Sequence, residues 1–333
     1  MIGGTNLKYT INDISRISGY AKSTVSAALN NGPGVGSEAR KKIQKIAEDL
    51  RYTPNELAKS ISMKQYNTVG VIVRDITNPF YAKVCRAVEH YAEEYGYTTL
   101  IYNTDGRTDK IEKAIRLMQG KRVAGIILDV NGLDERIENF LKEKSVPCIV
   151  FGQNSEYADS VEADDTAGAC EIAELLLSCG HGKIAYIGPD DTNFYSRRRK
   201  KGIEKVLGGK KVCLKTYAYG NNPDSIKAGY ETIRALKAVD FTAVIAYNDL
   251  TAVGVIRALT ERGCAIPNDV SVVSFDDVDT IVFPLTTVNI PEYEMGKRAM
   301  ALLKNRLASP DAEFVHVKLP TKLVLRESVK KLN

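Results

Sequence analysis

Lys22, Ser23, Thr24 and Ser26 lie within five residues of one another, just ahead of Leu29 and Asn30. One ammonium and three hydroxyls make a compact set of donors and acceptors, the kind that reaches base edges and phosphate oxygens. Their spacing places them on the first turn and outer face of a helix that starts near Lys22. Val25, Ala28 and Leu29 form its inner face. Groups suited to covalent chemistry are not so grouped. His90, His181 and His316 stand in a helix, a turn and a late strand, and none belongs to a Ser/His/Asp or metal-ligand spacing. No Gly-x-Gly-x-x-Gly or Gly-Lys-Ser/Thr loop follows a strand. The glycine-rich run at 31–36 follows a helix and ends Gly36-Ser37-Glu38, so it reads as a loop and not as a phosphate cradle. No enzyme activity, cofactor or metal is expected.

The elements that position Lys22 to Asn30 are local. Thr10-Ile11-Asn12-Asp13 has the form of a capping box with Asp in place of Glu. It opens a helix whose inner face is Ile11, Ile14 and Ile17. Gly19 ends that helix, and a turn of a few residues leads into the next, which makes a helix-turn-helix. A third helix runs from Glu38 to about Leu50, capped by Gly36 or Ser37. Ile43, Ile46, Ala47 and Leu50 face inward and Lys41, Lys42 and Lys45 face solvent. Thr53-Pro54 opens a helix over 55–62, a capping hydroxyl followed by Pro at the first helical position. So short a helix needs a partner to be ordered. Residues 1–64 hold ten Lys/Arg and five Asp/Glu, which is the whole chain's formal charge of +5. A basic segment on a neutral body points to a polyanionic partner for that segment.

From Thr68 the texture changes. Apolar runs at 69–73, 98–102, 125–128 and 147–151 alternate with helical patterns at 81–94, 110–119 and 134–144. The alternation then repeats, with helices at 166–178, 196–207, 225–236 and 249–261 and strands at 183–187, 212–218, 243–246 and 271–275. A helix at 292–307 and strands near 315–319 and 322–325 close the chain. This order predicts parallel sheets covered by helices, in two similar lobes. Ligands of such sheets bind beyond the carboxyl ends of the strands, so a cleft between the lobes is the expected small-molecule site. The 333 residues imply about two or three domains. A composition 44% hydrophobic and 26% charged is that of an ordinary soluble protein. There is no apolar run of roughly 18 residues. The opening Met1-Ile-Gly-Gly-Thr has no basic region followed by an apolar one, so neither a membrane span nor a secretory signal is expected. The six scattered cysteines read as reduced, mostly buried thiols of a cytoplasmic protein.

Several separate motifs resemble the LacI/GalR family of bacterial transcription regulators. They are Ser23-Thr24-Val25-Ser26 with Leu29-Asn30, Arg51-Tyr52-Thr53-Pro54-Asn55 with Ala58-Lys59-Ser60-Ile61, and Asp75-Ile76-Thr77-Asn78-Pro79-Phe80-Tyr81. Further on come Gly180-His181, Tyr247-Asn248-Asp249, Ser274-Phe275-Asp276-Asp277 and Pro284-Leu285-Thr286-Thr287-Val288. The resemblance covers nearly the whole chain. It implies an α/β protein: a helix-turn-helix domain (1–53), a hinge helix and linker (54–66) and a two-lobed core like a type I periplasmic binding protein (67–333). Lobe one would hold about 67–163 plus 292–322, and lobe two about 164–291 plus 323–333. It also implies a homodimer that represses from a pseudo-palindromic, double-stranded operator. A small-molecule effector such as a sugar or nucleoside, or in some members a protein co-regulator, would change the operator affinity. The chain ends without a heptad-patterned tail, which favours a dimer over a tetramer.

The resemblance assigns base contacts to Lys22, Ser23 and Ala27 and phosphate contacts to Thr24, Ser26 and Asn30. Ala27 departs from the family's usual Arg or His and offers only a methyl. In the hinge, Ala58, Lys59 and Ile61 fall on minor-groove positions, with Ile61 as the apolar wedge in place of the usual Leu. In the cleft, Phe80, Tyr81, Tyr195, Arg199, Asn248 and Asp276 match effector positions. An Arg/Asn/Asp set holds vicinal hydroxyls or a carboxylate, and Phe80 and Tyr81 would form a flat apolar wall. Plainer readings stand beside these: Asn248 as a helix cap, Asp276 as a turn residue, and the run from Arg197 to Lys201 as a solvated helix face. Gly152 stands where sugar-binding relatives often carry Asp, and Ile290 near a frequent Gln, so a simple sugar is not implied. A cytosolic solute-binding or sensor protein with the same core, or an α/β enzyme, is the competing reading. Loss of operator binding, but not of ligand binding, on deletion of residues 1–64 would separate them.

Overall fold

A computed structural model describes residues 9–52, 66–220, 222 and 224–332. The chain forms two compact units, residues 1–66 and 67–333, each described by itself. The predicted hinge helix, with Ala58, Lys59 and Ile61, lies outside the described residues.

The first unit holds helices α1 (Ile11–Ser18), α2 (Lys22–Leu29) and α3 (Ser37–Asp49). Asp13 Oδ2 accepts the Thr10 backbone N–H at 2.9 Å and the Thr10 hydroxyl at 2.8 Å, closing the start of α1. Gly19 ends the helix in the left-handed region, φ 78°, and its N–H returns to the Ser15 carbonyl. The core is small: Ile14, Val25, Ala28, Ile43 and Ala47, with Ile11, Leu29, Ile46 and Leu50 packed around it. Burying one Ile or Val side chain is worth roughly 1.5–3 kcal/mol, so each matters in a unit of this size. Ile17 corrects the predicted inner face. It is 50% exposed. One position further along, Ser18 turns inward instead, because four residues after Ile14 is closer to a full turn than three.

The second unit has two six-stranded sheets. The first takes β1 (Thr68–Val73), β2 (Thr98–Asn103), β3 (Gly125–Asp129), β4 (Cys148–Phe151), β5 (Asp159–Ala163) and the late β11 (His316–Leu319), in the order β11-β5-β4-β3-β1-β2. Helices α4 (Pro79–Glu94), α5 (Thr108–Gly120), α6 (Glu135–Glu143) and α11 (Glu292–Ala308) belong with it. The second sheet takes β6 (Lys183–Gly188), β7 (Cys213–Ala218), β8 (Ala243–Ala246), β9 (Ser271–Asp276), β10 (Thr286–Asn289) and β12 (Lys322–Val324), in the order β12-β10-β9-β8-β6-β7. Its helices are α7 (Asp165–Ser178), α8 (Phe194–Leu207), α9 (Ser225–Ala235) and α10 (Asp249–Glu261). The chain passes between the sheets after β5, before α11 and between β11 and β12. The central strands β3, β4, β8 and β9 are buried throughout, as helices on both faces require.

Three strand details differ from the sequence reading. β12 runs antiparallel to β10, so the second sheet is not wholly parallel. Strands β5 and β10 were not expected, since their polar residues hide the pattern. Asp159 in β5 is buried because Arg306 of α11 grips both its oxygens, at 2.8 and 3.0 Å. In β10, the Thr286 N–H donates to Ser328 Oγ and the Thr287 hydroxyl to Asp249 Oδ1. Satisfied in this way, polar side chains occupy core positions. The cysteines also differ: only Cys85 and Cys148 are fully buried and Cys213 is exposed, although all six are free. No helix among the described residues is long and apolar enough to cross a membrane.

Candidate functional site

On α2, Lys22 and Ser23 are exposed, Thr24, Ser26 and Ala27 partly so. The first turn of α2 holds no acid, and its cap, Ala21, offers no side-chain acceptor. The opening N–H groups therefore lack the side-chain cap most helices have. Lys22 also stands at the positive end of the helix dipole, an unfavourable place for a cation unless an anion is nearby. A backbone phosphate answers both conditions. Asn30 is exposed, but its Nδ2 donates to the Ser26 carbonyl at 2.9 Å, so only one amide proton is left for an outside acceptor. Arg40, one of the ten basic residues of this segment, is a brace. Its guanidinium donates to the carbonyls of Ala27, Ala28 and Gly32, the last at 2.7 Å, and so holds the end of α2. Lys42 donates to the Ser18 carbonyl at 3.2 Å. No local signal separates such braces from free cations.

Between the sheets of the second unit lies a cavity of about 740 Å³, lined by Phe80, Tyr81, Tyr195, Arg199, Asn248 and Asp276 among others. It lies beyond the carboxyl ends of the strands, where four helices begin. Their caps are Asn78, Asn193, Asp224 and Asn248, each accepting a backbone N–H of its own helix. Asn248 Oδ1 accepts the N–H and the hydroxyl of Thr251, both at 2.8 Å, which leaves its Nδ2 as the group able to face a ligand. Arg199 is not on a solvated face. It is 4% exposed, and Nε donates to Asp165 Oδ1 at 2.9 Å, Nη1 to the Tyr247 carbonyl and Nη2 to Asp276 Oδ1 at 3.4 Å. The guanidinium also stands over the Phe275 and Tyr247 rings, 4.3 and 4.9 Å from their centroids. Burial opposes its charge, but Asp165 and Asp276 hold its pKa above the ordinary range. Burial pushes the Asp276 carboxyl up to about 8 against the pull of Arg199.

Phe80 and Tyr81 do not form a flat wall. Their rings meet edge to face at 81°, and the Tyr81 hydroxyl is taken by Arg74. Arg74 and Asp129 were not singled out from the sequence, yet Arg74 Nε donates to Asp129 Oδ2 at 2.9 Å beside the cavity. Asp129 ends β3 and Arg74 directly follows β1, positions that mark ligand-facing residues in such sheets. No group of His, Cys, Asp and Glu among the described residues is arranged to hold a metal.

Comparison with known proteins bears on both regions. Residues 10–55 match the model of bacterial regulatory proteins of the lacI family, and residues 173–329 match a periplasmic binding protein-like domain. The HTH-type transcriptional repressor PurR of Photobacterium profundum is 29% identical over 97% of this chain and 99% of its own. Catabolite control protein A of Priestia megaterium is 31% identical over 97% of this chain and 100% of its own. The chain belongs to the LacI family of bacterial regulatory proteins. As a LacI-family member it is a DNA-binding transcription regulator with a ligand-binding core. A LacI family regulator from Enterococcus faecium, solved with bound ribose, aligns with a TM-score of 0.72 at 29% identity, covering 80% of this chain and 100% of that one.

Proposed function

We propose that this LacI-family chain is a cytoplasmic repressor, without enzyme activity, that binds a pseudo-palindromic operator as a homodimer. Lys22, Ser23 and Ala27 read bases, and Thr24, Ser26 and Asn30 fix the register on phosphates. Ala58, Lys59 and Ile61 engage the minor groove at the centre of the operator. A sugar- or nucleoside-sized molecule in the core cleft changes the affinity, held by Phe80, Tyr81, Tyr195, Arg199, Asn248 and Asp276. One observation carries this reading: a single chain pairs an acid-free, lysine-led helix start with a cavity of about 740 Å³. Ribose in the Enterococcus relative supports a small polar effector. Effector control requires affinity that differs between two arrangements of the core.

The test is selection from a random DNA pool with the full chain, beside a chain lacking residues 1–64. The full chain should recover inverted half-sites. The shortened chain should recover none, yet still be stabilised in thermal melts by the same metabolites as the full chain. Failure of the full chain to enrich paired half-sites would remove the proposal and leave the solute-sensor reading.

A further inference from the structure

Helix α8 belongs to the second lobe, where it packs on α7 and where Ser196 and Tyr186 bond at 3.0 Å. Its first turn is nevertheless fastened to the first lobe. The Tyr195 hydroxyl donates to Asp129 Oδ1 at 3.1 Å, at the end of β3, and the Phe194 N–H donates to Asn131 Oδ1 at 2.9 Å. Asp129 is 2% exposed, and its other oxygen is held by Arg74. The Arg74 guanidinium stands 4.6 Å from the Tyr195 ring centroid. Tyr195 thus joins Asp129 and Arg74, which both belong to the opposite lobe.

Gly152, just past β4, makes room for it. Its φ is 88°, and a Cβ built there would fall on the Tyr195 hydroxyl and stand 2.9 Å from Cζ. Any side chain at 152 must either expel the tyrosine or move the strand end. The position is thus occupied, but by a residue of the other lobe and not by its own side chain.

We propose that Tyr195 is an interlobe latch: seated in the space beside Gly152 and bonded to Asp129, it holds the lobes together with no small molecule bound. It also denies an effector the Asp129 carboxylate and the end of β4, so polar recognition of the effector falls on the second lobe and on Arg74. This goes beyond the proposed function and does not depend on which molecule the cleft accepts.

The test measures the distance between two probes on the full chain, carried by unnatural residues at the exposed Lys113 of α5 and Lys227 of α9, without added sugar or nucleoside. Wild type should give one narrow distance population. Tyr195→Ala and Gly152→Ala should each shift it to longer, broader distances, and Tyr195→Phe should do so less, since its ring can still stack on Arg74. The double variant Gly152→Ala/Tyr195→Ala should move no further than Tyr195→Ala alone, because both act through one contact. An unchanged distance in Tyr195→Ala with helical content intact overturns the latch, and so does a double variant in which the two shifts add. Should Gly152→Ala not fold, the two tyrosine variants decide the matter.

Discussion

Arg199 Nη2 lies 3.4 Å from Asp276 Oδ1, and both residues are about 95% hidden from solvent. Asp165 shares the same guanidinium from the other side at 2.9 Å. Removing the cation leaves the buried Asp165 carboxylate without its partner, which costs about 3–5 kcal/mol. Arg199→Ala should lower the urea midpoint of the core by a corresponding amount and abolish stabilisation by any cleft ligand. A midpoint within error of wild type would show that the carboxylate finds another partner.

Asp276 makes stability depend on pH. In the unfolded chain a carboxyl titrates near about 3.9, whereas burial pushes this one up to about 8 in the fold. Between those values the folded protein keeps a proton that the unfolded chain has released, so stability falls as pH rises through that window and levels off above it. Asp276→Asn removes the slope. Its stability relative to wild type should therefore grow from about pH 5 to about pH 8 and then stay constant. Urea melts at both ends of the window measure it. An offset that does not vary with pH would mean that Asp276 does not titrate there.

Lys22 should carry base preference. Lys22→Ala is expected to change the operator recovered by selection, while Lys59→Ala weakens binding to all sequences alike and reduces the salt slope by about one. Affinity for any operator should drop steeply with salt, since bound Lys and Arg displace condensed counterions. Titrations at several salt concentrations check both variants. An unaltered preferred operator in Lys22→Ala would show that base reading lies elsewhere.

Arg40 should act through α2 without touching sequence preference. Each lost hydrogen bond is worth about 0.5–1.5 kcal/mol, so Arg40→Ala should destabilise the first unit by about 1–2 kcal/mol. Operator affinity should fall with the ranking of operator variants preserved. A changed ranking would make Arg40 a base contact instead of a brace.

Much of the fold was legible because period and punctuation agreed. Helix α10 was predicted over Asp249–Glu261, the span it has, since Asn248 caps it and its apolar residues recur at helical spacing. Strands β5 and β10 were not legible. Asp159, Thr286 and Thr287 break the apolar pattern, and the Arg306, Ser328 and Asp249 that satisfy them are remote in sequence.

By itself, the sequence determined the helix-turn-helix, the alternation of strands and helices and the concentration of positive charge before residue 65, all of which depend on neighbours a few positions apart. Which polar residues do structural work was decided only by tertiary structure. Arg197, Arg198 and Arg199 are alike as text, yet Arg197 is exposed, Arg198 pairs with Glu162, and Arg199 alone is sealed between Asp165 and Asp276. Gly152 and Tyr195, 43 positions apart, have no visible relation until two lobes bring the hydroxyl of one to where the side chain of the other would begin. Such pairs are set by the close packing of distant segments, and that leaves no periodic trace along the chain.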